Sequence, residues 1–351
     1  MKSEEWPNAA PAADQTAPAR AVRDRLATAR ADFFLDPAAR LSEQERALMT
    51  AMLHCLVGDI ADEIRAALPS GWAAANDESN AKLVDALTAA RLLDRPAMMT
   101  LLLRRADEER IANAAKARGA RSDSRVIQGF VSHDNGAVSA AAMALILARG
   151  RRRDRFGQCL LAFDDLPPSS ADFLVHATAA FMRGDLAGAH GPMAADSKLA
   201  AASARLLGAH DPSRAMDSLT ADLVRLLDEA VQLTDAVILA AANEGEIAFV
   251  AHALSRRCGL PGAIGSDELF SGRPSRILML LRIAGLPREV AAGLLASIGD
   301  LLGVADAGGA IAMFDVITVD EANAARAWLA AAPVYRDASA ALGTGDGQRT
   351  L

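Results

Sequence analysis

Residues Ser42–Leu68 read SEQERALMTAMLHCLVGDIADEIRAAL, and this stretch decides the fold. Ser42 and Glu45 stand three apart, the spacing at which a hydroxyl accepts from the first helical turn while the carboxylate reaches back to its N–H. Leu48, Met52, Leu56, Ile60, Ile64 and Leu68 then recur every fourth residue. Met49, Leu53 and Val57 widen that line into the broad apolar stripe of a core-facing helix. Pro69 to Gly71 stops it.

The same grammar continues in the C-terminal direction. Asn80–Leu93 predicts a second helix, and Pro96 opens a third at a first-turn position. In that third helix Leu101, Leu102 and Ile111 form the apolar side, and Arg104, Arg105, Glu108 and Glu109 are expected to face water. Asp134-Asn135-Gly136 is a turn ahead of a helix over Val138–Arg149. Pro167-Pro168 breaks the chain, and Ser169-x-x-Asp172 is expected to restart it toward Phe173, Ala177 and Phe181. Asp211-Pro212 signals another start, with Met216, Leu219, Leu223, Leu226 and Leu227 following. Helices are predicted over Pro274–Ala284 and Pro287–Leu302, separated by Gly285 as a C-terminal cap. A last one starts at Thr318-x-x-Glu321 and carries Trp328 and Leu329 before Pro333. Only Val316–Val319 has β-branched character, and it is too short for a strand.

Successive helix hairpins with polar or proline turns predict an all-α fold. The reading is an α-solenoid of HEAT-like hairpins, with an irregular helical bundle as the alternative, above all in the C-terminal half. Residues 1–20, Ala- and Pro-rich, read as a disordered arm. The break near residue 164 suggests an N-terminal helical domain over 21–164 and a C-terminal one over 165–335, with 336–351 as a flexible tail.

At 52% hydrophobic the 351-residue chain has the material for a large core, and with aromatics at 4% that core is Ala- and Leu-based. The net charge of −7 argues against a nucleic-acid coat. Cys55, Cys159 and Cys258 are odd in number and far apart, which gives neither a zinc ribbon nor a disulfide framework and suits a reducing cytoplasm. Met1–Glu5 is acidic with no apolar core behind it, unlike a secretory signal. The longest uncharged apolar run, about Ala137–Ala148, is shorter than the roughly 20 residues a membrane span needs.

Several stretches resemble the bacterial family called domain of unknown function 2336. They are Leu41–Leu68, Ser132–Arg153 (SHDNGAVSAAAMALILARGRRR), DLPPSSADFLVHATAAFMR from Asp165, and Ala240–Leu286, where GEIAFVAHALSRRCGLP leads on to LLRIAGL. Together they take in most of residues 20–332. The resemblance implies an all-helical fold with HEAT-like repeats, and it brings no catalytic residues to transfer. The chain departs from the family at Leu68–Gly71, where ALPSGW interrupts what the family continues as helix and leaves the repeat register open.

Four groups of residues bear on chemistry. His54, Leu56 and Gly58 have the H-x-L-x-G spacing of histidine phosphotransfer domains, but Val57 stands where those carry a Lys. Asp59, Asp62 and Glu63 share one side of the first helix; they read either as a solvated acidic face or as an oxygen-ligand set for Mg²⁺. Arg149, Arg151, Arg152, Arg153 and Arg155 make the densest charge run, at a helix C-terminus where cations also complement the dipole. They are the leading interaction candidates, suited to an acidic or phosphate-bearing partner. Asn243-Glu244-Gly245-Glu246 reads as a turn.

No HExxH, G-x-S-x-G, P-loop or Rossmann glycine pattern occurs. The six His residues are dispersed, and His176, His190, His210 and His252 read as core or loop residues. The expectation is a cytoplasmic, non-catalytic helical protein that binds another protein, with no cofactor, no metal, no transmembrane segment and no nucleic-acid partner. The alternative is a bacterial signalling protein with phosphotransfer at His54.

Overall fold

Ser42 is followed at once by helix α1 (Glu43–Ala67), and the stripe expected of it is its packed face: Met52, Leu56, Val57, Ile60 and Ile64 are fully buried. The structure is a computed structural model and describes residues 41–72, 77–119 and 125–342. The arm expected over 1–20 and the end of the tail, 343–351, lie outside the described residues. Gly71 takes a φ of +84° as the chain turns after α1. Trp72 then lies flat on His190, with ring centroids 4.1 Å apart.

The remaining helices are α2 (Asp77–Ala89), α3 (Pro96–Ala117), α4 (Arg125–Gly129), α5 (Gly136–Arg151), α6 (Pro168–His190) and α7 (Pro192–Ala209). After them come α8 (Met216–Glu229), α9 (Asp235–Asn243), α10 (Ile247–Cys258), α11 (Gly262–Leu269) and α12 (Pro274–Ile283). The chain ends in α13 (Arg288–Leu294), α14 (Ala307–Val316), α15 (Val319–Ala330) and α16 (Pro333–Ala341). Among the described residues the fold is all-α, and the one extended pairing is an isolated antiparallel bridge between Arg153 and Cys159.

Caps explain most of the starts. Asn135 accepts from the Ala137 N–H at 2.9 Å to open α5. Thr318 and Glu321 form the full reciprocal capping box of α15. Pro96, Pro168 and Pro192 occupy first-turn positions, where the missing N–H costs nothing. Three expected boundaries are corrected. Ser169 lies inside α6, whose start belongs to Pro168. Asp211 caps only a 3-10 turn (Pro212–Arg214), because Ala215 turns extended and α8 starts afresh at Met216. The helix expected to Leu302 stays α-helical only to Leu294, then passes through a π turn (Leu295–Gly299) and a 3-10 turn (Asp300–Leu302). Of the tail expected from 336, residues up to Ala341 continue α16.

Packing differs along the chain. From α8 onward next-but-one helices meet, α8 on α10, α10 on α12 and α12 on α14. Earlier helices fold back over long sequence separations: α1 packs on α3, α6 and α7, and α3 on α10. Packing therefore runs across residue 164, and the described residues from Glu43 onward form one compact unit. The crossing of α3 with the α9–α10 turn is close. A Cβ on Gly245, which has a φ of +76°, would come within 2.9 Å of both Ala112 and Ala115.

Candidate functional site

The C-terminal end of α5 is where side-chain chemistry concentrates. Arg152 is the C-cap residue, and beyond it the chain doubles back as a tight hairpin. The Leu160 N–H donates to the Arg152 carbonyl at 2.9 Å. Inside the hairpin one carboxylate oxygen of Asp154 accepts the N–H groups of Phe156 and Gln158, each at 2.8 Å. Gly157, at a φ of +81°, completes the turn.

This geometry sorts the arginine run into two groups. Arg149 holds Glu246 with two bonds of 2.8 and 2.5 Å. Arg152 holds Asp165 with two bonds of 2.7 and 2.9 Å. Arg153 reaches Glu109 at 3.0 and 3.2 Å and the Gly157 carbonyl at 2.5 Å. These three clamp α5 and its hairpin to α3, to the turn before α6 and to the start of α10. Arg151 and Arg155 are exposed, and no carboxylate pairs with either among the described residues. Arg155 instead lies over the ring of Phe156, 4.7 Å from its centroid, and Phe156 itself is 74% exposed.

The paired arginines border a cavity of about 130 Å³, lined also by Arg105, Glu108, Glu109, Cys159, Thr220 and Glu246. Here the expectation that Arg104, Arg105, Glu108 and Glu109 face water is corrected. Arg105 is buried, and the other three are largely covered. Arg105 donates to Glu108 at 2.6 Å and to Asp217 at 2.8 Å. Arg104 bridges Asp217 at 3.3 Å and Asp267 at 3.2 Å. The charged side of α3 is roofed by α8 and α11, whose carboxylates lie more than a hundred residues away.

The electrostatics follow from that roof. Burial works against the Arg105 charge, but Glu108, Asp217 and Asp165 outweigh it and hold the guanidinium firmly protonated. Burial raises the Glu108 carboxyl above its ordinary value, against the pull of Arg105. Asp217 is held below its ordinary value, because Arg105 and Arg104 overcome its burial. Burial also lowers the His252 imidazole. Cys159 is pushed up to about 11, chiefly by burial, so at neutral pH it is a thiol and a poor nucleophile. Each ionised group in the cavity wall is spent on a partner, and the cluster acts as an internal clasp.

The other candidates lie apart. His54 is exposed, one turn before Gly58, and Val57 is buried. Asp59, Asp62 and Glu63 are exposed close by, and burial together with its two acidic neighbours raises the Asp59 carboxyl. Asp62 pairs with Arg65 at 2.6 Å, and no group of three or more His, Cys, Asp or Glu side chains poised for a metal ion exists among the described residues. Glu244 accepts from the Val126 N–H at 3.0 Å, so the turn at Asn243–Glu246 serves packing. Among the described residues no helix is long and apolar enough to cross a membrane.

Comparison with known families matches residues 112–327 to the family described as "Uncharacterised protein conserved in bacteria (DUF2336)". The matched region contains the whole arginine run, Asp165 and Glu246, and excludes His54. Neither the curated proteins nor the solved structures give a match.

Proposed function

From the premise that the chain belongs to the bacterial family DUF2336, we propose that it is a non-catalytic, HEAT-like helical protein that works in the cytoplasm by binding another protein. The observation that supports this reading is the division of the arginine run. Arg149, Arg152 and Arg153 build the scaffold, and the same scaffold holds Arg151, Arg155 and Phe156 out in solvent. Cations with a neighbouring exposed aromatic ring are the side chains that anchor protein interfaces. An acidic surface is the complement of such a patch.

The test is affinity capture with mass spectrometry on wild type and on the double variant Arg151→Glu, Arg155→Glu. The expected result is a specific set of proteins retained by wild type and lost by the variant. Identical retention by both forms, or none by either, overturns the reading.

A further inference from the structure

Helix α5 leaves an apolar face open along the length that leads to Arg151. Residues 136–148 (GAVSAAAMALILA) carry no charge, and such a segment ordinarily lies covered on all sides. Only one side is covered here, by way of Val138, Ala142, Leu145 and Ala148. Ala140, Met143 and Leu147 are exposed at helical spacing, and Arg151 continues their line one turn on. Leu147 is 54% exposed.

Beside this ridge runs a groove of about 440 Å³ lined by Ala144, Leu147, Ala162 and Leu219, with Arg151 and Arg214 on its rim. The carboxylates around it are occupied. Asp164 accepts from the Asp211 N–H at 2.9 Å, and Asp165 is taken by Arg152. Asp211 accepts from Ser213 and meets Arg214 at 3.1 Å, while Arg214 remains well exposed. The lining thus carries the guanidinium groups of Arg151, Arg152 and Arg214 against the single carboxylate of Asp164, over an apolar floor.

We infer that the α5 ridge and this groove are the docking site for an acidic amphipathic helix of another protein. Ala140 to Arg151 spans about 16 Å, or three helical turns. The partner helix lays an apolar stripe along Met143 and Leu147 and presents Asp or Glu side chains to Arg151 and Arg214, the helix-in-groove mode of recognition. A second copy of this chain fits less well. The carboxylates beside the ridge are already engaged, so self-pairing brings no free acid to Arg151 and Arg214.

This site rests on the reading that the protein binds a protein partner, and the experiment separates the two. Randomised helical peptides displayed on phage are selected on the full chain, with counter-selection on Leu147→Glu and, separately, on Arg151→Glu with Arg214→Glu. Thermal melts confirm that the variants are folded. The expected outcome is enrichment of peptides with apolar residues at i, i+3, i+4 and i+7 and with carboxylates near one end. Each variant should bind these peptides about tenfold more weakly or worse. Failure to enrich, enrichment of basic or uncharged peptides, or equal binding by the Leu147→Glu variant overturns the inference. So does sedimentation showing a dimer that Leu147→Glu dissolves. If the capture experiment succeeds while this selection fails, the partner binds elsewhere and only the groove is refuted.

Discussion

Arg152 and Asp165 meet fork to fork, joining the C-cap of α5 to the turn that precedes α6. The Asp165 side chain is 1% exposed and also accepts the N–H groups of Ala162 and Met216, each at 2.9 Å. Four donors therefore converge on one carboxylate, and the start of α8 is fixed by the same residue that fixes the end of α5. Removing either partner strands the other in a site that water reaches poorly. Asp165→Ala and Arg152→Ala should each cost about 3–5 kcal/mol. Urea unfolding followed by circular dichroism measures this; a loss below 1 kcal/mol for both would show that the pair is not the clasp described.

The exposed members of the run should behave in the opposite way. Arg151→Glu and Arg155→Glu leave no charge stranded, because no carboxylate pairs with either among the described residues. Their unfolding free energies should fall by no more than about 1 kcal/mol, most of it at Arg151, where the reversed charge meets the C-terminal dipole of α5. A destabilisation as large as that of Arg152→Ala would mean that the run acts as one structural unit, and the proposed binding surface would lose its support.

Much of the fold was legible in the sequence, for a specific physical reason. A stripe such as Met52, Leu56, Ile60 and Ile64 is written locally, and it reports burial whatever lies opposite. Caps are equally local, as Thr318 with Glu321 shows. The inward charges of α3 were not legible. Arg105 needs Asp217, 112 residues away, and only the tertiary fold shows that this acid roofs the helix. The start of α8 failed for a related reason: Asp211 does cap a turn, but Asp165 draws the Met216 N–H and resets the helix there. The arginine run was visible as a feature, whereas its division into clamps and free cations depends on Glu109, Asp165 and Glu246, which no spacing rule connects to it.

Val231 offers a stabilising change. It follows the last turn of α8 at a φ of 57°, where the Gln232 N–H closes on the Leu227 carbonyl at 2.7 Å. A β-branched residue is strained in that left-handed position, and its side chain, 84% exposed, gains little packing. Val231→Gly relieves the strain and loses some backbone entropy, for a net gain of about 0.5–1 kcal/mol. Chemical denaturation checks it, and a loss of stability would show that Val231 makes contacts that offset its backbone.

Helices α10 and α11 cross at a distance only glycine permits. A Cβ on Gly265 would fall on the carbonyl oxygen of Ala251 and the hydroxyl of Ser255, and that hydroxyl accepts the Gly265 N–H at 2.8 Å. Gly265→Ala must push the helices apart, at a cost of about 3 kcal/mol. The melting temperature should fall accordingly, while Gly272→Ala, whose added Cβ meets no atom within 4 Å, should show only the strain of its φ of +66°.

His252 sets an acid limit on stability. It is buried where α10 meets α11, and Asp217, Arg104 and Arg105 act on it. Burial lowers its pKa below the ordinary 6.5, so the folded protein holds it neutral where the unfolded chain would protonate it. As pH falls from 6.5 toward the lowered value, the unfolded state binds the extra proton and stability declines. Glu108 acts in the opposite sense: its carboxyl is raised above 4.5, so folding is favoured on acidification through that higher value. The two are separated by mutation. In His252→Asn the fall in unfolding free energy between pH 6.5 and the lowered value should be shallower than in wild type, because only the histidine contribution has gone. Parallel pH profiles for the two proteins would show that His252 takes no part in the acid response.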